Sequence, residues 1–172
     1  MSEDKAREAV LEMYRMTVRN LLSGTKPGMV PNSSYRHASI IIDELARCSK
    51  SSFHAYCERL STDVWTPDVI EQLRAAVNRN VDVVIVTAEQ IADDVPPFLR
   101  DRIKTIEISS MEDVRMRAAY AHLSHFTVVD GKSFRLERDT HNREAVFAAN
   151  HPEFAGEVEK AFSAILDFTK AA

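Results

Sequence analysis

"AHLSHFTVVDGKSFRLERD", residues 121–139, is the stretch on which the fold turns. "HFTVVD" is rich in β-branched residues, and Asp130-Gly131 is the kind of dipeptide that tight hairpin turns favour, because such turns need positive φ at their central positions. "KSFRLE" then supplies a second strand, so an antiparallel hairpin is predicted. Residues two apart in a strand share a face, which groups His125 with Thr127 and Val129, and Arg135 with Glu137.

Upstream of the hairpin, helices and strands alternate. Ser33 or Ser34 opens a helix over "YRHASIIIDELARCSK" with Ala38, Ile41, Ile42, Leu45 and Ala46 as its buried stripe. "SFHAYCERL" alternates as a strand, with Phe53, Ala55 and Cys57 on one side and His54, Tyr56 and Glu58 on the other. Thr66 caps and Pro67 starts the next helix, and "VDVVIVT" has the continuous apolar character of a strand covered on both faces. A short helix around "PPFLRDRI", a strand "KTIEIS" and a helix "MEDVRMRAAYAHL" lead to the hairpin. After it, "EAVFAA" reads as a strand, Asn150 as a cap and Pro152 as the start of a closing helix. The result is an α/β layer fold with a mixed β-sheet flanked by helices.

The N-terminus reads differently. Residues 1–24 form an amphipathic helix, with Val10, Tyr14, Val18, Leu21 and Leu22 as its apolar stripe. Residues 25–34 hold Pro and Gly at a density that marks a connector, leaving 35–172 as the main domain; the opening helix then either stands apart, its stripe meeting a partner, or packs that stripe on its own core.

Composition removes several function classes. A formal charge of -4 and a pI near 5.9 provide no global basic field for nucleic acid or anionic membranes. No uncharged apolar run approaches the ~18 residues of a membrane span, and the charged N-terminus lacks the apolar core of a secretory signal. A cytoplasmic location is expected. Cys48 and Cys57 show neither CxxC nor zinc spacing and read as plain buried thiols. No cofactor motif stands out: four glycines without GxGxxG argue against a Rossmann-like nucleotide binder.

From about residue 35 onward, the order helix, strand, helix, buried strand, then a strand ending in Val-Val-Asp-Gly, a hairpin and a final helix resembles one half of the phospholipase D-like fold. The signature of that family is HxKxxxxD followed by Gly and, further on, a Gly-Ser pair. The resemblance implies a histidine that attacks phosphorus, a lysine that holds phosphate oxygens, and a site built from two motif copies, so that a chain with one copy pairs with itself. Asp130 and Gly131 match the end of the motif. Leu123 stands at the histidine position, His125 at the lysine position, and Glu137 and Arg138 where the Gly-Ser pair is expected. A leucine has no lone pair to form a phospho-enzyme bond, so the family's chemistry does not transfer.

Candidate site residues follow from this degenerate motif. His125 faces the vacated position and is chemically capable of acid, base or nucleophile duty. The simpler account is a histidine that satisfies strand-end backbone groups. Asp130, Arg135 and Glu137 complete a candidate catalytic set; a cross-strand ion pair explains the last two equally well. Arg115, Arg117, Lys132, Arg135, Arg138 and Arg143 are candidates for an anion-binding surface, although interleaved acids also fit an ordinary solvated face. His122 and His125 lack a third ligand at local spacing, which argues against metal. Asn150 and His151 precede a helix N-terminus, an anion site or simply a cap.

Two functions compete. The first is a non-catalytic phospholipase D-like module that binds or regulates, as a homo-oligomer or with a protein partner, and takes a phosphate-containing ligand. The second is a divergent metal-independent phosphodiesterase or nuclease whose site around His125 is completed across a homodimer. Nucleic-acid binding without catalysis has the local arginines in its favour and the net charge against it.

Overall fold

The computed structural model describes residues 3–106, 124–139 and 144–171. In chain order the elements are α1 (Glu3–Ser23), β1 (Gly28–Asn32), α2 (Tyr35–Cys48), β2 (Ser52–Cys57), α3 (Pro67–Asn78) and β3 (Asp82–Thr87). They continue with α4 (Pro97–Arg100), β4 (Ile103–Thr105), β5 (Phe126–Val129), β6 (Ser133–Asp139), β7 (Glu144–Ala149) and α5 (Pro152–Ala171). The helix expected over 111–123 and the end of the strand expected over "KTIEIS" lie outside the described residues.

The seven described strands form one sheet in the order β1-β7-β6-β5-β2-β3-β4. β2, β3 and β4 run parallel, and the remaining pairings are antiparallel. Strand alternation explains how both sheet faces are buried. Phe53 and Ala55 of β2, Val83 and Ile85 of β3 and Phe147 of β7 pack under α2 and α3, sharing a core with Ile41, Leu45 and Leu73. Tyr56, Val86 and Phe126 face the other way and pack on Phe162 and Ile165 of α5. Parallel strands covered on both sides need the continuous apolar runs that "VDVVIVT" shows.

Local signals set the helix starts. Ser34 accepts from the His37 N–H at the head of α2, and Thr66 accepts from the Val69 N–H with Pro67 in the first turn of α3. The β5–β6 hairpin turns on Asp130 (φ 54°) and Gly131 (φ 62°), and the Lys132 N–H donates to the Val129 carbonyl at 3.1 Å. Both central residues are left-handed, which is why Asp-Gly occupies them.

Two expectations change. The connector over 25–34 contains β1, which pairs antiparallel with β7. Its Pro31 suits the outer edge of a sheet, where a missing N–H costs no ladder bond. Nor does the opening helix stand apart: Val18 is fully buried, and Tyr14, Leu21 and Leu22 pack on the main core. Ionic contacts fix it further. Glu44 of α2, fully buried, receives Arg19 at 2.7 Å, Arg15 at 3.2 Å and Arg47 at 2.5 Å, while Arg15 also pairs with Asp43.

Asn150 is a third difference. It sits in the left-handed region (φ 58°) and, instead of capping α5, its side-chain amide donates toward the carbonyls of Leu21, Gly24 and Lys26 at the end of α1. The His151 carbonyl accepts from Ala155 and so opens α5. No described helix is long and apolar enough to cross a membrane.

Candidate functional site

A cleft of about 570 Å³ opens beyond the carboxyl end of β2, within the size range of small-molecule sites. Its walls come from four places. The start of α2 contributes Ser34, Tyr35 and Ala38; the end of β2 contributes Tyr56 and Cys57. The loop that follows contributes Glu58, Arg59, Ser61, Val64 and Trp65. The floor is His125, Phe126 and Thr127 from the start of β5 with Arg135 and Glu137 from β6. Open α/β sheets form crevices at carboxyl ends because the chain must leave the sheet there and splay into loops.

The floor is a chain of polar contacts. Thr127 and Arg135 are register partners, so the cross-strand geometry brings His125 and Glu137 together. His125 Nδ1 lies 3.3 Å from Glu137 Oε2, and the Arg135 guanidinium reaches the same oxygen at 3.4 Å. Arg135 Nε donates to Asn32 Oδ1 at 2.6 Å, and Asn32 Nδ2 donates to the Ser34 carbonyl at 2.9 Å. The guanidinium is thus tied to β1 and to the head of α2. It is only 6% exposed.

Burial and charge pull against each other here. Burial pushes the Glu137 carboxyl up, but the His125 hydrogen bond and the Arg135 charge outweigh it and hold the group below its ordinary value. For Arg135, burial wins and lowers the guanidinium, with Glu137 opposing. Cys57, at the cleft wall, is pushed up to about 12 and Cys48 to about 11, chiefly by burial, so both stay thiols.

The remaining sequence candidates scatter. Asp130 lies at the other end of β5, where its carboxylate accepts from the N–H groups of Lys50, Ser51 and Ser52 at 2.8–3.1 Å and from the Ser51 hydroxyl at 2.9 Å. These bonds, against the opposing effect of burial, hold it below its ordinary value. Lys132 is exposed beside that turn, Arg135 is buried on the cleft floor, and Arg138 is exposed where the β6–β7 register shifts between Glu137 and Asp139. The described members of the arginine set therefore do not form one cationic surface. Arg115, Arg117, Arg143, His122 and Leu123 lie outside the described residues. His54 is also remote from the cleft: it stacks on Phe162 at 4.5 Å and bonds Glu159 and Asp82.

Three cleft residues, and the Asn32 that anchors Arg135, carry no sequence signal strong enough to find them. Asn32 sat in the presumed connector; Arg59 and Trp65 sat in an unremarkable loop; Tyr35 read as the start of a helix. Trp65, the sole tryptophan, was the one compositional hint. Arg59 is exposed at the rim and makes no ion pair with a described residue.

No family model and no curated sequence matches the chain. Solved structures do. TrmBL2, an archaeal chromatin protein whose structure shows a novel mode of DNA binding, superposes with a TM-score of 0.58 at 10% identity over 96% of this chain. The chain spans 61% of that protein. Nuc from Salmonella typhimurium, a phospholipase D family member, gives a TM-score of 0.50 at 16% identity, covering 81% of this chain and 93% of Nuc. NucT from Helicobacter pylori gives 0.59 at 10% identity, covering 83% and 96%.

Proposed function

On the premise of this phospholipase D-like fold, we propose that the chain is a binding module that holds a small phosphate-containing ligand in the cleft and does not cut it. One observation carries the reading. The cation on the cleft floor, Arg135, is spent inside the protein on Glu137 and Asn32, and Glu137 in turn engages His125. A phosphodiesterase needs a free cation to follow the charge on the non-bridging oxygens, and it needs a nucleophile. A floor whose groups satisfy one another is instead rigid and preorganised, as a binding site requires.

The walls suit an anion with an unsaturated body. The first turn of α2 contains no acidic residue, so its positive end is not neutralised, and Arg59 stands at the rim. Tyr35, exposed at the wall, provides flat apolar surface, with Trp65 buried beneath it as packing. The module works in the cytoplasm and exerts its effect through assembly, with a second copy or with another protein.

A specific contact favours the second reading, a metal-independent phosphodiesterase or nuclease. Glu137 on His125 Nδ1 orients the ring and leaves Nε2 for the cleft, as a catalytic carboxylate does for its histidine. The two readings separate cleanly. Thermal denaturation with inorganic phosphate, a nucleoside monophosphate or a short DNA duplex is expected to raise the midpoint for a small phosphate ligand, and Arg59→Ala is expected to reduce that rise. A chromogenic phosphodiester and single-stranded DNA are expected to remain intact with or without divalent metal. Turnover that disappears in His125→Ala transfers the assignment to the phosphodiesterase.

A further inference from the structure

We propose that the cleft takes up its anion together with one proton, which His125 binds at Nε2. This deepens the phosphate-binding reading and rests on it.

Charge on the lining points to the ring. Among the described residues, the charged side chains of the cleft are Glu58 and Arg59, exposed at the rim, and Glu137 and Arg135 on the floor, so carboxylates and guanidiniums balance one for one. The remaining titratable groups that line it are Tyr35 at the head of α2 and Tyr56 and Cys57 at the end of β2, and burial keeps the Cys57 thiol neutral by pushing it up to about 12. Imidazole is the side chain whose charge ordinarily changes between about pH 5 and 8. Protonation of His125 therefore turns a balanced lining into a positive one.

Hydrogen bonding leads to the same atom. Glu137 is held below its ordinary value and is an acceptor, so His125 Nδ1, 3.3 Å from Glu137 Oε2, carries the hydrogen between them. In a neutral ring Nε2 then holds a lone pair. No described residue bonds Nε2, and the ring lines the cleft. An oxyanion that approaches this lone pair is repelled. Once a proton from water joins Nε2, the same atom donates to the anion in a charge-assisted hydrogen bond. The proton stays on the ring while the anion is bound, and no bond of the ligand breaks.

Linkage between proton and anion is reciprocal. The anion binds more tightly as pH falls, and the bound anion keeps the ring protonated to higher pH. A phosphate that carries its own hydrogen can donate to the neutral ring instead, so a probe that does not titrate is needed.

Inorganic sulfate, a dianion at every pH used, is titrated into the full chain at constant ionic strength while NMR follows the His125 ring. Its dissociation constant is expected to rise about tenfold per pH unit between about pH 7 and 8.5, as uptake of one proton requires. Saturating sulfate is expected to move the titration of the ring to higher pH. A nucleoside monophosphate, a dianion above about pH 7, is expected to show the same slope. His125→Gln keeps a donor toward Glu137 but does not titrate; it is expected to bind either anion weakly and without the slope. His125→Lys, a cation throughout, is expected to lose the slope and to bind at least about tenfold more tightly than wild type near pH 8. Binding of either anion that does not change with pH, or a slope that survives in His125→Gln, overturns the proposal and leaves the binding reading in place. Failure of both anions to bind at any pH overturns the two together.

Discussion

Substituting Asp130 separates its structural role from the catalytic role that its motif position suggests. Its carboxylate gathers three backbone N–H groups and the Ser51 hydroxyl at the loop that leads into β2, and its own backbone is left-handed. Hydrogen bonds to a carboxylate are worth about 1.5–3 kcal/mol each when fully enclosed, but water replaces part of the loss at this partly open site, so the set amounts to about 2 kcal/mol. Alanine in the left-handed region adds about 1 kcal/mol, a cost that glycine avoids and asparagine largely avoids. The expected order of destabilisation is Ala, about 3 kcal/mol, then Gly, about 2 kcal/mol, then Asn, about 1 kcal/mol. Urea titration followed by the fluorescence of Trp65, which is 7% exposed and unique, measures all three. The folded carboxyl is held below its ordinary value, so its contribution is fully present above the unfolded value near 3.8 and fades as pH falls through the folded one. The gap between wild type and Asp130→Asn should therefore close in acid. An Ala variant within about 0.5 kcal/mol of wild type, or a gap that does not change with pH, refutes the reasoning.

His54 should act in the opposite direction. Burial works to lower it, but its hydrogen bonds to Glu159 and Asp82 prevail and raise it. Its contribution is present below about pH 6.5 and lost as pH rises through the folded value, so melting of wild type and His54→Gln should differ at pH 6 and converge in alkali. Glu137→Gln removes the charge partner of the buried Arg135 and is expected to cost about 2–4 kcal/mol in urea denaturation and to abolish the phosphate-dependent thermal shift. Glu44→Ala removes the α2 partner of Arg19 and one of the two α2 partners of Arg15; limited proteolysis should then cut within residues 20–28 faster than in wild type, with β2 and β3 still protected.

Periodicity made most of the core legible. The alternation of Phe53, Ala55 and Cys57 against His54 and Tyr56, the apolar run 83–86 and the stripe of α2 all translate into burial because side-chain direction follows from local geometry. Residues 28–32 resisted such reading: Gly28 and Pro31 resemble linker chemistry, and only β7, more than a hundred residues away, makes them a strand. The approach there is close, since a Cβ on Gly28 would stand 2.3 Å from Leu21 Cδ2. The role of Asn32 was hidden for the same reason. Asn150 misled differently: a cap and an inter-element tether use the same amide, and the backbone conformation that separates them is not written in residue type.

By itself, the sequence determined most of the elements, the Asp-Gly hairpin and the leucine at position 123, because these depend on period, turn chemistry and the identity of single side chains. Only the tertiary structure decided that α1 belongs to the core, that Asp130 clasps the end of the sheet remote from the cleft, and that His125, Glu137, Arg135 and Asn32 meet on one floor. Those outcomes depend on strand order and register, which bring together groups up to 103 positions apart and which no local pattern encodes.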